Sequence, residues 1–201
     1  MIKKRVVMKP SAQLSQLAEF LQQFGAEQTT IDEALSQAQV LALPTRHILL
    51  HQGQRAEQFY FLLNGICHAC YLTDSGKQFS KEFYWDQDTL IGFEALITQS
   101  PSPFLLETLS ASELIALPIE LIETWRSQGL ALYQHLLERQ LVFKENKERF
   151  MLMYSPEERY QLFTQSFEEL NVKLTDYQIA SYLGITPISL SRIKKRQNEP
   201  Q

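Results

Sequence analysis

Two cysteines, four histidines and a carboxy-terminal run of hydroxyl and basic side chains are the residues here with chemistry beyond packing. Cys67 and Cys70 have the C-x-x-C spacing of zinc sites and redox dithiols. They fall in Ile66-Cys-His-Ala-Cys-Tyr, which follows a turn and reads as strand. Residues three apart on a strand point to opposite faces, so the two thiols cannot share one ion, and a redox pair needs a helix N-terminus. No second cysteine pair completes a zinc or iron–sulfur centre. The pair is therefore read as two small packing residues in a reducing compartment. His47 and His51 lie four apart, bracketed by Pro44 and Gly53; with His68 and His135 they are read as surface or hydrogen-bonded side chains. No metal and no cofactor is expected. No Ser-His-Asp or phosphate-loop pattern is present, and no enzyme activity is expected either.

The richest pattern runs from Leu174 to Arg196. Thr175 and Gln178 have capping-box spacing, which starts a helix through Leu183. Gly184 stands where a turn requires positive φ. Thr186 caps a second helix whose first position is Pro187. Ala180 is small where the two helices must approach, and Ile179, Leu183, Ile185, Leu190 and Ile193 supply the apolar contacts. Together these features specify a helix-turn-helix. Its second helix leaves Thr186, Ser189, Ser191, Arg192, Lys194, Lys195 and Arg196 as candidate DNA-contacting residues. Arg192 suits base readout, and Lys194, Lys195 and Arg196 suit phosphate contacts. The net charge is −4, yet basic residues gather at the ends, with Lys3, Lys4, Arg5 and Lys9 at the first. A local basic cluster on an acidic protein suffices for phosphate binding.

These residues need a scaffold, and 201 residues can supply a medium and a small domain. No apolar run approaches the roughly 20 residues of a membrane span, so a cytoplasmic protein without membrane contact is expected. Leu14, Leu17, Ala18, Leu21 and Phe24 predict a helix over 11–24 stopped by Gly25, and a short helix is predicted over 30–37. From Val40, short apolar stretches alternate with turn signals at Pro44, Gly53, Asn64-Gly65, Asp74-Ser75-Gly76 and Gly92. This spacing predicts a double-sheet β-roll, a cupin-like jelly roll. Phe59 to Leu63, Asn64-Gly65 and Ile66 to Leu72 predict a tight hairpin. A long helix is predicted over 119–153, with Leu136, Phe143 and Phe150 at seven-residue intervals and Leu132 beside them. That heptad face either meets a twin helix in a homodimer or belongs to the chain's own core. Ser155-Pro-Glu-Glu restarts the chain as a capped helix. The fold expected is α+β: a roll over 1–118 with flanking helices, a dimerisation helix over 119–154 and a helix-turn-helix domain over 155–201.

That order resembles the Crp/Fnr family of transcription regulators over nearly the whole chain. The motifs carrying the resemblance are His51-Gln-Gly, Phe59-Tyr-Phe-Leu-Leu-Asn-Gly, Ile91-Gly-Phe-Glu-Ala-Leu and, most specifically, the helix-turn-helix. The resemblance implies a homodimer on double-stranded DNA, its recognition helices about 34 Å apart on a two-half-site operator. It also implies an effector pocket, with Gly92, Phe93, Glu94, Phe104 and Leu105 as candidates for its lining. The family's cyclic-nucleotide binders follow Gly-Glu with an Arg-Ser pair that meets the cyclic phosphate. Here Phe93 separates Gly92 from Glu94, and Ser100-Pro-Ser-Pro-Phe-Leu-Leu has no arginine. Specific control by cyclic AMP or cyclic GMP is therefore not expected. An apolar effector, or a pocket filled by Phe93, Phe104 and Leu105, is expected in its place. The family's reading positions hold Pro187 and Ile188, and no hairpin wing follows the recognition helix before Gln201. Both features predict an unusual operator and fewer backbone contacts. Two other readings stand beside the regulator: a cupin-like metalloenzyme, and a regulator fold that no longer binds DNA.

Overall fold

A computed structural model describes residues 12–85 and 87–198. Helices α1 (Ala12–Gln23) and α2 (Gln28–Gln37) precede strands β1 (Gln39–Leu43), β2 (Ile48–Leu50), β3 (Gln58–Asn64), β4 (Cys67–Leu72), β5 (Gln78–Tyr84) and β6 (Thr89–Leu90). The short helix α3 (Phe93–Thr98) follows, then β7 (Leu105–Thr108) and β8 (Ser112–Pro118). The chain continues as α4 (Ile119–Ser127), α5 (Ala131–Met153), α6 (Pro156–Ser166), α7 (Glu168–Lys173), α8 (Asp176–Leu183) and α9 (Pro187–Asn198). The strands form two antiparallel four-stranded sheets, in the orders β1-β8-β3-β6 and β2-β7-β4-β5. The expected α+β double-sheet roll is the fold observed.

Three apolar layers follow from strand alternation. Between the sheets, Tyr60, Leu62, Leu114 and Ala116 of the first meet Cys67, Ala69, Tyr84 and Leu106 of the second. Phe59, Phe61, Ile115 and Leu117 face the other way, against α1, α2, α4 and the start of α5. β3 is thus buried on both faces, which is why it reads as an unbroken apolar run. Across the molecule, Phe83 of the second sheet faces α6–α9.

The expected hairpin at Asn64-Gly65 is not formed, because β3 and β4 belong to different sheets. Only Gly65 has positive φ there, at 113°, whereas the expected tight turn needs two such residues. The chain crosses between sheets at this point, and a Cβ on Gly65 would collide with Ser112, lying 2.8 Å from its Cα. The true hairpin joins β4 to β5 through Asp74-Ser75-Gly76. The single helix expected over 119–153 is likewise two, separated at Gly129, whose φ is 67°. The predicted second helix begins at Gln28 rather than Thr30, and Ser11 lies outside the described residues.

A Gly65→Ala chain is expected to lose stability by more than a Gly76→Ala chain, in urea unfolding followed by circular dichroism. Both substitutions force an alanine into positive φ, costing about 1–2 kcal/mol. At Gly76 the added methyl meets open space; at Gly65 it meets Ser112 backbone and adds roughly 1 kcal/mol or more. Equal losses would show that the close approach to Ser112 carries no weight.

Candidate functional site

The helix-turn-helix forms as its residue types dictate. Thr175 accepts from the Gln178 amide at 3.3 Å, and Gln178 Oε1 accepts from the Thr175 amide at 2.8 Å, closing the capping box of α8. Ser155 and Glu158 close the same motif on α6. The amide and hydroxyl bonds of Ser155 hold the Glu158 carboxyl below its ordinary value. Gly184 ends α8 with φ 68°, and a Cβ there would lie 2.6 Å from Met151 of α5. On α9, Leu190 and Ile193 are buried against α8 and α6, and the Ser189 amide donates to Thr186 Oγ1 at 3.1 Å.

The candidate DNA-contacting residues separate into two groups. Ser191, Arg192, Lys195 and Arg196 share the exposed face of α9 with Ile188. Thr186 is exposed at the helix start, while Ser189 is half-buried with its hydroxyl 3.0 Å from Thr186 Oγ1. Lys194 turns back to Asp176 at 2.5 Å, and Arg196 pairs with Glu157 at 3.0 Å. Surface pairs of this kind contribute little and exchange readily. The basic residues Lys3, Lys4, Arg5 and Lys9 lie outside the described residues.

A cavity of about 310 Å³ opens between the roll and α5, lined by Gly92, Phe93, Glu94 and Phe104 as expected. Leu105 is not part of it. It pairs with Cys70 on β4 and follows Phe104 by one residue, so strand alternation turns it to the opposite sheet face. The cavity instead contains two cations that were not among the expected lining residues, Lys81 and Lys144. A bulge in β5 opposite Ala69 and Cys70 adds Lys81 as an extra residue and turns it inward. Lys81 Nζ lies 4.5 Å from the Phe104 ring centroid. Buried Glu82 accepts from Lys144 at 2.6 Å and from Gln140 at 3.2 Å, and lies 3.3 Å from Lys81. Burial brings the Lys81 ammonium down to about 8, against the opposing pull of Glu82.

Two of the four expected dimer residues are spent inside the chain. Leu132 is 1% and Leu136 3% exposed, both in the core with α1 and β3. That assignment is corrected: the first two turns of α5 must cover the roll, so their apolar stripe faces inward. Phe143 and Phe150 are half-buried beside a cleft under α8. The exposed apolar residues of α5 are Leu141 (56% exposed), which also lines the cavity, Val142 (59%), Leu152 (77%) and Met153 (70%).

Comparison with known proteins agrees with this architecture. Residues 34–127 match the cyclic nucleotide-binding domain family. The chain is 24% identical to an anaerobic regulatory protein of Haemophilus influenzae over 163 residues, 74% of this chain and 63% of that protein. It therefore spans less than two thirds of that relative's length. A Crp/Fnr-family putative transcriptional regulator of Eubacterium rectale superimposes with TM-score 0.67 at 13% identity, over 85% of this chain and 83% of that one. FixK2 of Bradyrhizobium japonicum gives 0.67 at 16% identity, over 79% and 83%. The chain has the fold of the Crp/Fnr regulators, and its roll is the part that matches the cyclic nucleotide-binding domain family. Among the described residues no helix is long and apolar enough to cross a membrane.

The helix-turn-helix rests on the β-roll through α8. Phe83 of β5 meets Tyr182 with centroids 5.1 Å apart, and the Ser80 amide donates to Ser181 Oγ at 2.9 Å. From α5, Lys147 Nζ donates to the Tyr182 carbonyl at 2.8 Å and stands 3.0 Å from its ring centroid. Burial lowers this ammonium to about 7, with Lys144 and Arg159 adding to the shift and Glu82 opposing it. In the unfolded chain a lysine titrates near 10.4. The unfolded chain thus binds more protons between about pH 7 and 10, and stability rises with pH across that window. Unfolding free energies from urea titrations at pH 7 and pH 9 are expected to rise for the natural chain by on the order of 1–2 kcal/mol more than for Lys147→Met. An identical rise in both chains would show that Lys147 keeps its charge in this clasp.

Proposed function

We propose that the chain is a homodimeric DNA-binding transcription regulator, reading a two-half-site operator through α9. The observation that carries this reading is the exposed face of α9. Ser191, Arg192, Lys195 and Arg196 line it, while α8 is occupied with β5. A recognition helix requires that division, with one helix held by the protein and the next presented to the major groove. Residues 155–201 are the DNA-reading domain, 119–154 the dimerisation segment and 1–118 the sensor domain. The relatives are regulatory proteins, which favours this reading over a metalloenzyme of cupin type.

The dimer seam of this reading is Leu141, Val142 and Leu152 of α5, large apolar side chains left exposed along one helix, with Leu141 at the edge of the cavity. The sensor is not controlled specifically by cyclic AMP. Both cavity lysines contact Glu82, and a cyclic phosphate would have to displace that carboxylate. The Phe104 ring also stands 3.5 Å from where a Gly92 Cβ would be, which narrows the cavity floor.

Selection of genomic DNA fragments with the purified chain tests the function and yields the operator. Arg192→Ala is expected to cost about 1–3 kcal/mol at one base pair of each half-site and to relax selectivity there. Lys195→Ala is expected to weaken all sequences alike and to reduce the salt slope by about 1. Retrieval of no fragment above background would sink the reading. In analytical ultracentrifugation, Leu141→Glu combined with Leu152→Glu is expected to give monomer; a surviving dimer would move the seam elsewhere.

A further inference from the structure

The outer face of β4 holds an arrangement that DNA reading does not use. His68 and Cys70 are two residues apart, so both side chains point away from the inter-sheet core, whereas Cys67 and Ala69 point into it. Register pairs His68 with Glu107 of β7. The imidazole nitrogen, the thiol sulfur and a carboxylate oxygen consequently lie within 4.8 Å of one another, the one such group among the described residues. His68 is 4% exposed. Its Nε2 is engaged with Ser80 Oγ at 2.9 Å, but its buried Nδ1 has no hydrogen-bond partner and faces Glu107 Oε1 at 3.5 Å. An orphaned buried ring nitrogen is costly, and it needs a reason to persist.

We propose that His68, Cys70 and Glu107 form a binding site for a thiophilic divalent transition-metal ion, with Zn²⁺ the best fit. One imidazole, one thiolate and one carboxylate make the mixed donor set that zinc accepts, with a fourth position left for water. Tetrahedral coordination at about 2.0–2.3 Å sets ligand atoms roughly 3.4–3.7 Å apart, so the widest pair closes by about 1 Å. Cys70 binds as the thiolate, and its proton leaves to solvent as the metal–sulfur bond forms. Entry is from the Glu107 side, where the carboxylate is half-buried and Ile48 of the edge strand β2 is exposed.

Metal at Nδ1 fixes the proton on Nε2, which then donates to Ser80 Oγ as a supporting bond. That serine's amide is the one held by Ser181 of α8, and Phe83 stacks on the His68 ring at 4.9 Å before meeting Tyr182. The site therefore lies one residue beneath the docking of the helix-turn-helix. A regulatory meaning for this coupling rests on the DNA-binding reading above; metal binding itself does not.

The test is a Co²⁺ titration of the reduced, chelator-stripped full chain. One equivalent is expected to produce a thiolate-to-metal absorption band in the near ultraviolet, bleached by Zn²⁺. Cys70→Ser should abolish the band. Glu107→Gln should keep it while weakening affinity by about tenfold or more. Cys67→Ser, on the inner face, should leave band and affinity unchanged. No thiolate band in the natural chain, a band that survives Cys70→Ser, or unchanged affinity in Glu107→Gln would overturn the site. If Cys70→Ser does not fold, Glu107→Gln and the natural chain still decide. Hydrogen exchange during the titration reads the coupling separately: Zn²⁺ should slow exchange of the Ser80 amide, and unchanged exchange with metal bound would refute the link alone.

Discussion

The contact of Phe83 with Tyr182 is the interaction on which the arrangement of the molecule depends. It closes an aromatic cluster in which Tyr182 also meets Phe163 at 5.6 Å and Phe150 at 6.3 Å. Aromatic groups bury large areas and add about 0.5–1.5 kcal/mol per well-oriented pair, so three elements are joined at one residue. The β-roll, α5 and the helix-turn-helix all contribute. Because α8 supplies Tyr182, α8 is the helix that is covered, and α9 is the one left exposed. The division into one covered helix and one exposed helix is thus a packing consequence.

Charge is organised around the same interface. Glu82 is buried on the cavity side of β5, next in sequence to Phe83, and its carboxylate draws Lys144 and Gln140 of α5 onto the roll. A buried carboxylate survives only when so satisfied, which fixes how α5 lies across the cavity mouth. One turn further along, Lys147 reaches Tyr182. A ligand that displaced Glu82 from Lys144 would act on the helix that also holds α8, a direct mechanical route from cavity to helix-turn-helix.

Local chemistry was the legible part of the sequence. Both capping boxes, the turn glycine at 184 and the apolar residues of the helix-turn-helix could be read because their partners lie within four residues. The double-sheet roll was legible from turn spacing, but strand partners were not. Asn64-Gly65 has hairpin chemistry, and only the crossing between sheets, set by Ser112 far along the chain, reveals its use. The heptad on α5 misled for a related reason. Leu136, Phe143 and Phe150 mark an apolar face without saying whether the chain's own roll or a twin covers it. Lys81 escaped notice because a bulge reverses its facing, and Glu107 because only β-pairing brings it to His68.

The most direct test of the DNA-reading assignment is a hydroxyl-radical footprint of the chain on its selected operator. Two outward-facing copies of α9 require two protected patches, their centres about one helical turn or roughly 34 Å apart, related by the operator's two-fold symmetry. A single patch, or uniform protection without discrete boundaries, would contradict a symmetric reader built on this helix.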